Sequence, residues 1–161
     1  MNTVWKIFAT GFGAGYSPIA PGTAGALVGI SITIQKEVWG LAFFNTQYLV
    51  DLDLIVLIIV FMLIGVLATN ALEKEWGHDP QKIVIDEIVG VWIAILAIPM
   101  SWNTLILAFI LFRIFDIWKP LGIRKMEQLK GGWGVMMDDV LAGVYANIVL
   151  QILLYFFPGL L

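Results

Sequence analysis

Five carboxylates in this chain sit inside apolar sequence. Asp86 and Glu87 interrupt the run Ile83 to Ile98, Asp116 lies near the end of the run that starts at Leu105, and Asp138 and Asp139 open the run Val140 to Phe157. A charge at bilayer depth costs roughly 2.5–3.5 kcal/mol even on the gentler insertion scales, so five retained acids point to use. Paired carboxylates offer oxygen ligands, which suit a hard cation such as Mg²⁺. Arg113, Asp116 and Lys119 follow at spacings of three, on neighbouring faces of one helix. Arg can grip a phosphate through two parallel N–H bonds. Acids, a cation and basic groups together suggest metal-assisted chemistry on a phosphate ester.

Each constellation also has a plainer reading. Asp86-Glu87 fits an ion-paired helix start that complements the helix dipole. Asp86 nonetheless shares a stripe with Gly90, Ala94 and Ala97, where small residues let another helix come close. One Asp of the pair Asp138-Asp139 fits an N-cap; two fit it less well. Asp139 continues to Gly143, Ala146 and Asn147, a small and polar face, and the preceding Gly131-Gly-Trp-Gly reads as a loop able to approach a head group. Arg113 and Asp116 fit an internal salt bridge, with Lys119 snorkelling. The glycine- and proline-rich stretch from Gly11 to Gly25, carrying Ser17 and Thr23, runs into a helix start that could hold an anion, or could be a re-entrant turn. It lacks the Gly-Lys-Ser/Thr of a Walker motif. Glu73, at the end of the preceding span, could reach the acidic layer as a further ligand. His78 reads as solvated, and Asp79-Pro80 as a turn.

The elements that position these groups follow from composition. The chain has 161 residues, 60% hydrophobic and 13% charged, and its mean hydropathy is +0.93. Soluble domains average about 45–50% apolar and about 25% charged, so this is a membrane protein. A net charge of −3 argues against nucleic-acid binding. The absence of cysteine excludes disulfides and thiolate metal sites. The expected fold is an all-α integral membrane bundle with about four to five spanning or re-entrant helices. Residues 1–161 are expected to form one membrane-embedded unit, with 1–22 as interfacial N-terminus and Gly-rich loop and 23–161 as bundle. Leu54–Leu72, Ile83–Met100, Thr104–Trp118 and Val140–Phe157 read as spans. Thr23–Ile34 is a short or tilted span or a re-entrant helix. Residues 1–10 read as an interfacial helix with Trp5, Ile7 and Phe8 on the membrane, retained rather than cleaved.

Orientation follows from the basic residues. If Thr23–Ile34 crosses, Lys6, Lys74, Lys82, Lys119, Arg124, Lys125 and Lys130 share one side, which is then cytoplasmic. Only Lys36 lies opposite, next to Glu37, Asp51 and Asp53. All five acids then fall in one layer under the cytoplasmic interface. An ion or proton path would spread its acids through the membrane, which counts against a transporter. A phosphatidyl transferase would share the acids and Mg²⁺, but needs a second substrate site.

Four stretches in order resemble the phosphatidylglycerophosphatase A family. They are Gly11-Phe-Gly-Ala-Gly-Tyr-Ser-Pro-Ile-Ala-Pro-Gly-Thr, Asp79-Pro-Gln-Lys-Ile-Val-Ile-Asp-Glu-Ile-Val-Gly, Phe112-Arg-Ile-Phe-Asp-Ile-Trp-Lys-Pro and Gly131-Gly-Trp-Gly-Val-Met-Met-Asp-Asp-Val-Leu-Ala-Gly. The resemblance covers residues 11 to 143 and is weak over 35–70. It implies a Mg²⁺-dependent phosphatase of the bacterial inner membrane, facing the cytoplasm, that converts phosphatidylglycerophosphate to phosphatidylglycerol. Its substrate partner would be a phospholipid, with no obligatory protein partner. Asp86, Glu87, Asp116, Asp138 and Asp139 would be catalytic. Ser17, Thr23, Arg113 and Lys119 would contact phosphate. Some of Asp86, Glu87, Asp138 and Asp139, with Glu73 added from its place at the end of the preceding span, would supply metal ligands. The resemblance leaves open which acid is nucleophile, base or ligand.

Overall fold

The computed structural model describes residues 2–39, 52–77 and 80–160. Among them are seven α-helices and no strand: α1 (Asn2–Ala9), α2 (Pro21–Trp39), α3 (Leu52–Trp76), α4 (Ile85–Ile95), α5 (Trp102–Trp118), α6 (Ile123–Met126) and α7 (Gly132–Phe156). His78 and Asp79 lie outside the described residues.

The two longest helices, α3 and α7, are long and apolar enough to cross a membrane, with mean hydropathies of 2.9 and 1.6 over their best windows. Both show a wide apolar surface to the outside, including Ile59, Leu63 and Leu67 on α3 and Ile148 and Ile152 on α7. That surface is stable only in lipid. Of the shorter helices, α2 has 19 residues and α5 has 17, about 28 Å and 26 Å of rise.

The expected span Ile83–Met100 is corrected by the structure. α4 stops at Ile95 after 11 residues, about 16 Å of rise against the ~30 Å of a hydrocarbon core. Apolar sequence runs on, but the backbone turns: Leu96 is extended, and Ala97 has φ 57°. α4 is the inner helix, packed by α2, α3, α5 and α7, and nine of its residues are buried. Its carbonyls find partners inside the bundle: Asn147 Nδ2 donates to Ala94 O at 3.1 Å and to Leu96 O at 2.8 Å. Ser101 then starts α5 with a reciprocal cap on Thr104, and Thr104 Oγ1 donates to Pro99 O at 2.8 Å. No backbone polar group can be left bare at this depth, and these bonds are what allow the turn.

Other differences are smaller. Gly131-Gly-Trp-Gly is mostly helical rather than a loop. α7 begins at Gly132, whose N–H donates to Asn70 Oδ1 of α3 at 2.7 Å, so Asp138 and Asp139 fall in its second turn. Phe8 of α1 faces inward, edge-to-face with Phe61 of α3, while Ile7 stays exposed. Asp53, expected in a polar loop, is buried in the first turn of α3.

Two contacts fix α4. Gly90 and Gly143 let α4 and α7 touch backbone to backbone. A Cβ at Gly143 would come within 3.1 Å of Ile93 Cβ, and one at Gly90 within 2.9 Å of the Asp139 carbonyl. Trp92, wholly buried, donates from Nε1 to Gly29 O of α2 at 2.8 Å and packs edge-to-face on Phe61 of α3, with ring centroids 4.9 Å apart. One side chain thus joins three helices. Trp92→Phe is expected to lower stability by about 1–3 kcal/mol, from the lost bond, the orphaned carbonyl and the void. The midpoint of unfolding by sodium dodecyl sulfate checks this; an unchanged midpoint would remove Trp92 as a tie.

Candidate active site

Four helices end or begin around one cleft of about 510 Å³. The start of α2 contributes Pro21 and Gly22, and the start of α4 contributes Asp86 and Glu87. The end of α5 contributes Arg113, Asp116 and Ile117, with Lys119 just beyond it, and the second turn of α7 contributes Asp138 and Asp139. Ala20, Gln81 and Ile83 complete the lining. The basic segments meet at this same end of the bundle. Lys6 pairs with Glu75, Val84 N–H donates to Ala9 O at 2.8 Å, and Lys119 pairs with Asp138.

The five acids expected to act together are neighbours. Asp86, Glu87 and Asp139 offer carboxylate oxygens that all lie within 4.8 Å of one another. Asp116 sits against both Glu87 and Asp139. Asp138, 5% exposed, looks across at Asp86. Each carboxylate arrives by an ordinary local rule. Asp86 and Glu87 occupy the first turn of a helix, where the dipole favours acids. Asp138 and Asp139 are adjacent on α7, so their side chains diverge by about 100° and only Asp139 joins the triad.

Two cations oppose this charge. Arg113 Nη1 lies 2.6 Å from Asp116 Oδ2, an ion pair made off the hydrogen-bond axis, so its Nε and Nη1 have no aligned acceptor among the described residues. Lys119 Nζ donates to Asp138 Oδ2 and to Glu127 Oε1, each at 2.6 Å. Burial disfavours the ammonium charge of Lys119, but these two acids outweigh it and hold its pKa above the ordinary lysine range. It is therefore a cation at any physiological pH.

The donor set fits a divalent cation. Asp86 Oδ1 and Glu87 Oε2 are buried and have no hydrogen-bond partner among the described residues. Buried carboxylate oxygens are normally satisfied, and three such side chains converging on one point form an all-oxygen site of the kind Mg²⁺ takes. Gly22 closes the site from α2. A side chain there would press on the Glu87 carboxylate and lie 3.1 Å from Arg113 Nη1, so glycine lets the first turn of α2, with its free N–H groups, reach the cleft.

The other expected site residues lie apart from the cleft. Glu73 is exposed on α3 and lines neither cleft nor triad. Ser17 Oγ donates to Ile19 O at 2.8 Å, and Thr23 is half-buried behind Gly22; neither lines the cleft. Sequence reasoning passed over Gly22 as a lining group, and also Gln81 and Glu127. Gly22 lies in the Gly-rich motif and Gln81 in the Asp79–Gly90 motif, signals that could have found both. Glu127 carries no sequence signal, because its role comes only from Lys119 folding back.

The family model described as Phosphatidylglycerophosphatase A matches residues 7–154. A protein of Bacteroides thetaiotaomicron, provisionally named a phosphatidylinositol-3-phosphatase, is 50% identical over 150 residues, 91% of each chain. Proteins named Phosphatidylglycerophosphatase A are 37% identical in Escherichia coli, over 98% of this chain and 88% of the relative, and 41% identical in Haemophilus influenzae, over 92% and 88%. No solved structure matches the chain. With all four motif stretches inside the matched residues, the chain belongs to the phosphatidylglycerophosphatase A family.

Proposed function

We propose that this protein removes the terminal phosphate of phosphatidylglycerophosphate, giving phosphatidylglycerol and inorganic phosphate, in the bacterial inner membrane with its cleft toward the cytoplasm. The observation that carries the reading is the triad Asp86, Glu87 and Asp139 facing Arg113 and Lys119 across one cleft. That pairing of an oxygen-only cation site with two phosphate-binding cations suits a phosphomonoester. The apolar outer faces of α3 and α7 leave the acyl chains in lipid while the head group enters from the bundle end.

Asp86, Glu87 and Asp139 would hold Mg²⁺, which when bound neutralises phosphoryl oxygens and eases deprotonation of water. The chain's own groups do the rest. Arg113, oriented by Asp116, turns its free N–H groups to the phosphate. Lys119 and the first-turn N–H groups of α2 take further oxygens. Asp138 has Oδ2 held by Lys119 and Oδ1 buried without a partner among the described residues, which places a carboxylate oxygen to accept the proton of an attacking water. The water oxygen bonds to phosphorus, the bond from phosphorus to the glycerol oxygen breaks, and that oxygen takes a proton from solvent at the cleft mouth. Direct attack by a carboxylate is the competing route. A trapped phosphoaspartyl species would favour it, and single-step incorporation of labelled water would favour the base.

Phosphate release from purified protein is the decisive assay. Activity on phosphatidylglycerophosphate is expected to need Mg²⁺ and to fall at least about a hundredfold in Asp86→Asn and Asp139→Asn. Full activity in both variants would sink the site, and product formation without inorganic phosphate would favour a transferase. The 50% identical Bacteroides relative makes phosphatidylinositol 3-phosphate the second substrate to test. A higher kcat/KM on that lipid would move the assignment within the same chemistry. Topology has its own test, because the chain has no cysteine of its own. Single cysteines at Lys74 and Lys125 are expected to react with a membrane-impermeant maleimide only from the cytoplasmic side. Labelling from outside would reverse the orientation.

A further inference from the structure

α4 and α7 run side by side in the same direction, and one offset relates them along their contact. Asp86 faces Asp139, Gly90 meets Gly143, and Ala94 meets Asn147. Each pair is separated by the same 53 residues of sequence. Successive rungs are four residues apart, about 6 Å along each helix. The rungs differ in kind. The first sets carboxylate against carboxylate, which pushes the helices apart. The second is a backbone contact between glycines, which fixes how closely the helices approach without a directional bond. The third is directional. Asn147 Nδ2 donates to Ala94 O at 3.1 Å and Leu96 O at 2.8 Å, and Gln151 Nε2 donates to Asn147 Oδ1 at 2.6 Å, which fixes the end of the amide that faces α4. Trp92 and Val84 tie α4 to α2 and to the end of α1; Asn147 ties it to α7.

We infer that Asn147 is a positioning residue for the carboxylate triad. By gripping the last carbonyls of α4, it sets the register of Asp86 and Glu87 against Asp139, two turns away. The inference rests on the reading of that triad as the cation site. Groups that orient metal ligands are worth about 10–100-fold in metal affinity, so a register lock has a direct effect on it.

The test uses the full chain in lipid nanodiscs, with Mn²⁺ as the probe, its binding read by electron paramagnetic resonance. Asn147→Leu keeps the volume and removes the bonds. It is expected to raise the Mn²⁺ Kd about tenfold and to raise the Mg²⁺ needed for half-maximal phosphate release in parallel. KM for lipid at saturating Mg²⁺ should stay within about twofold. A residue that merely satisfied two carbonyls would lower thermal stability and leave the metal affinity of the folded protein alone. A wild-type Kd in folded Asn147→Leu therefore overturns the inference. If that variant does not fold, Gln151→Leu decides, since Gln151 is exposed and its loss only frees the amide to turn. Weakened Mn²⁺ binding there supports the lock, and unchanged binding overturns it. Failure of the unmodified chain to bind Mn²⁺ would instead sink the reading of the triad, so the two failures are distinguishable.

Discussion

Carboxylates gathered away from water repel one another, and everything in this bundle answers to that repulsion. Three of them converge to within 4.8 Å, with two more against them. At an effective dielectric of about 20, two unit charges at that separation oppose each other by about 3–4 kcal/mol. That exceeds the roughly 1 kcal/mol net gain of an ordinary hydrogen bond, so hydrogen bonding alone cannot hold the cluster. Protonation or a nearby cation relieves the repulsion, and the protein supplies two cations in fixed places. Arg113 stands against Asp116, and Lys119 spans Asp138 and Glu127. Both pair with the outer acids, and Arg113 also lies near Glu87. The cluster is thus divided by its own ion pairs into a paired rim and an inner group of three carboxylates that could hold a divalent cation.

Such a group needs a rigid carrier. α4 has that role because it is short and inside, shielded from lipid by four neighbours. Its brevity also puts its first turn, with Asp86 and Glu87, at the cleft and its last turn within reach of Asn147. The long helices do different work. α3 and α7 give the bundle its apolar outer face, and α7 alone serves both functions, carrying Asp138 and Asp139 at one end and plain lipid-facing residues at the other.

Much of this was legible in the residues. The uninterrupted apolar run of α3 and the stretch ending at Trp118 gave their helices within a few residues. The acids announced themselves by their cost, and the bias of Lys and Arg placed the basic segments together. The end of α4 had a signal that the apolar pattern masked: Pro99, whose ring clashes with the carbonyl of Ile95 in a continuing helix, stands inside the run Ile83 to Met100, and an amide 51 to 53 residues away takes the carbonyls of Ala94 and Leu96. Spacing alone could not tell that Asp139 would join Asp86 and Glu87 while Asp138 turned to Lys119. The same limit applies to Glu73, acidic and near in sequence but exposed in space, and to Gly22, whose value is the absence of a side chain between Glu87 and Arg113.

The brevity of α4 also bears on how the chain is made. An 11-residue helix with two acids in its first turn cannot insert into a bilayer unaided. The donor to its last carbonyls, its glycine contact and the third carboxylate all come from α7, the last long helix to be synthesised. While the chain is growing, Asp86 and Glu87 therefore wait without Asp139. The carboxylate triad is completed only when synthesis is nearly finished, so a chain cut short before Gly132 has Asp86 and Glu87 but lacks Asp139 and the contacts of α7 with α4.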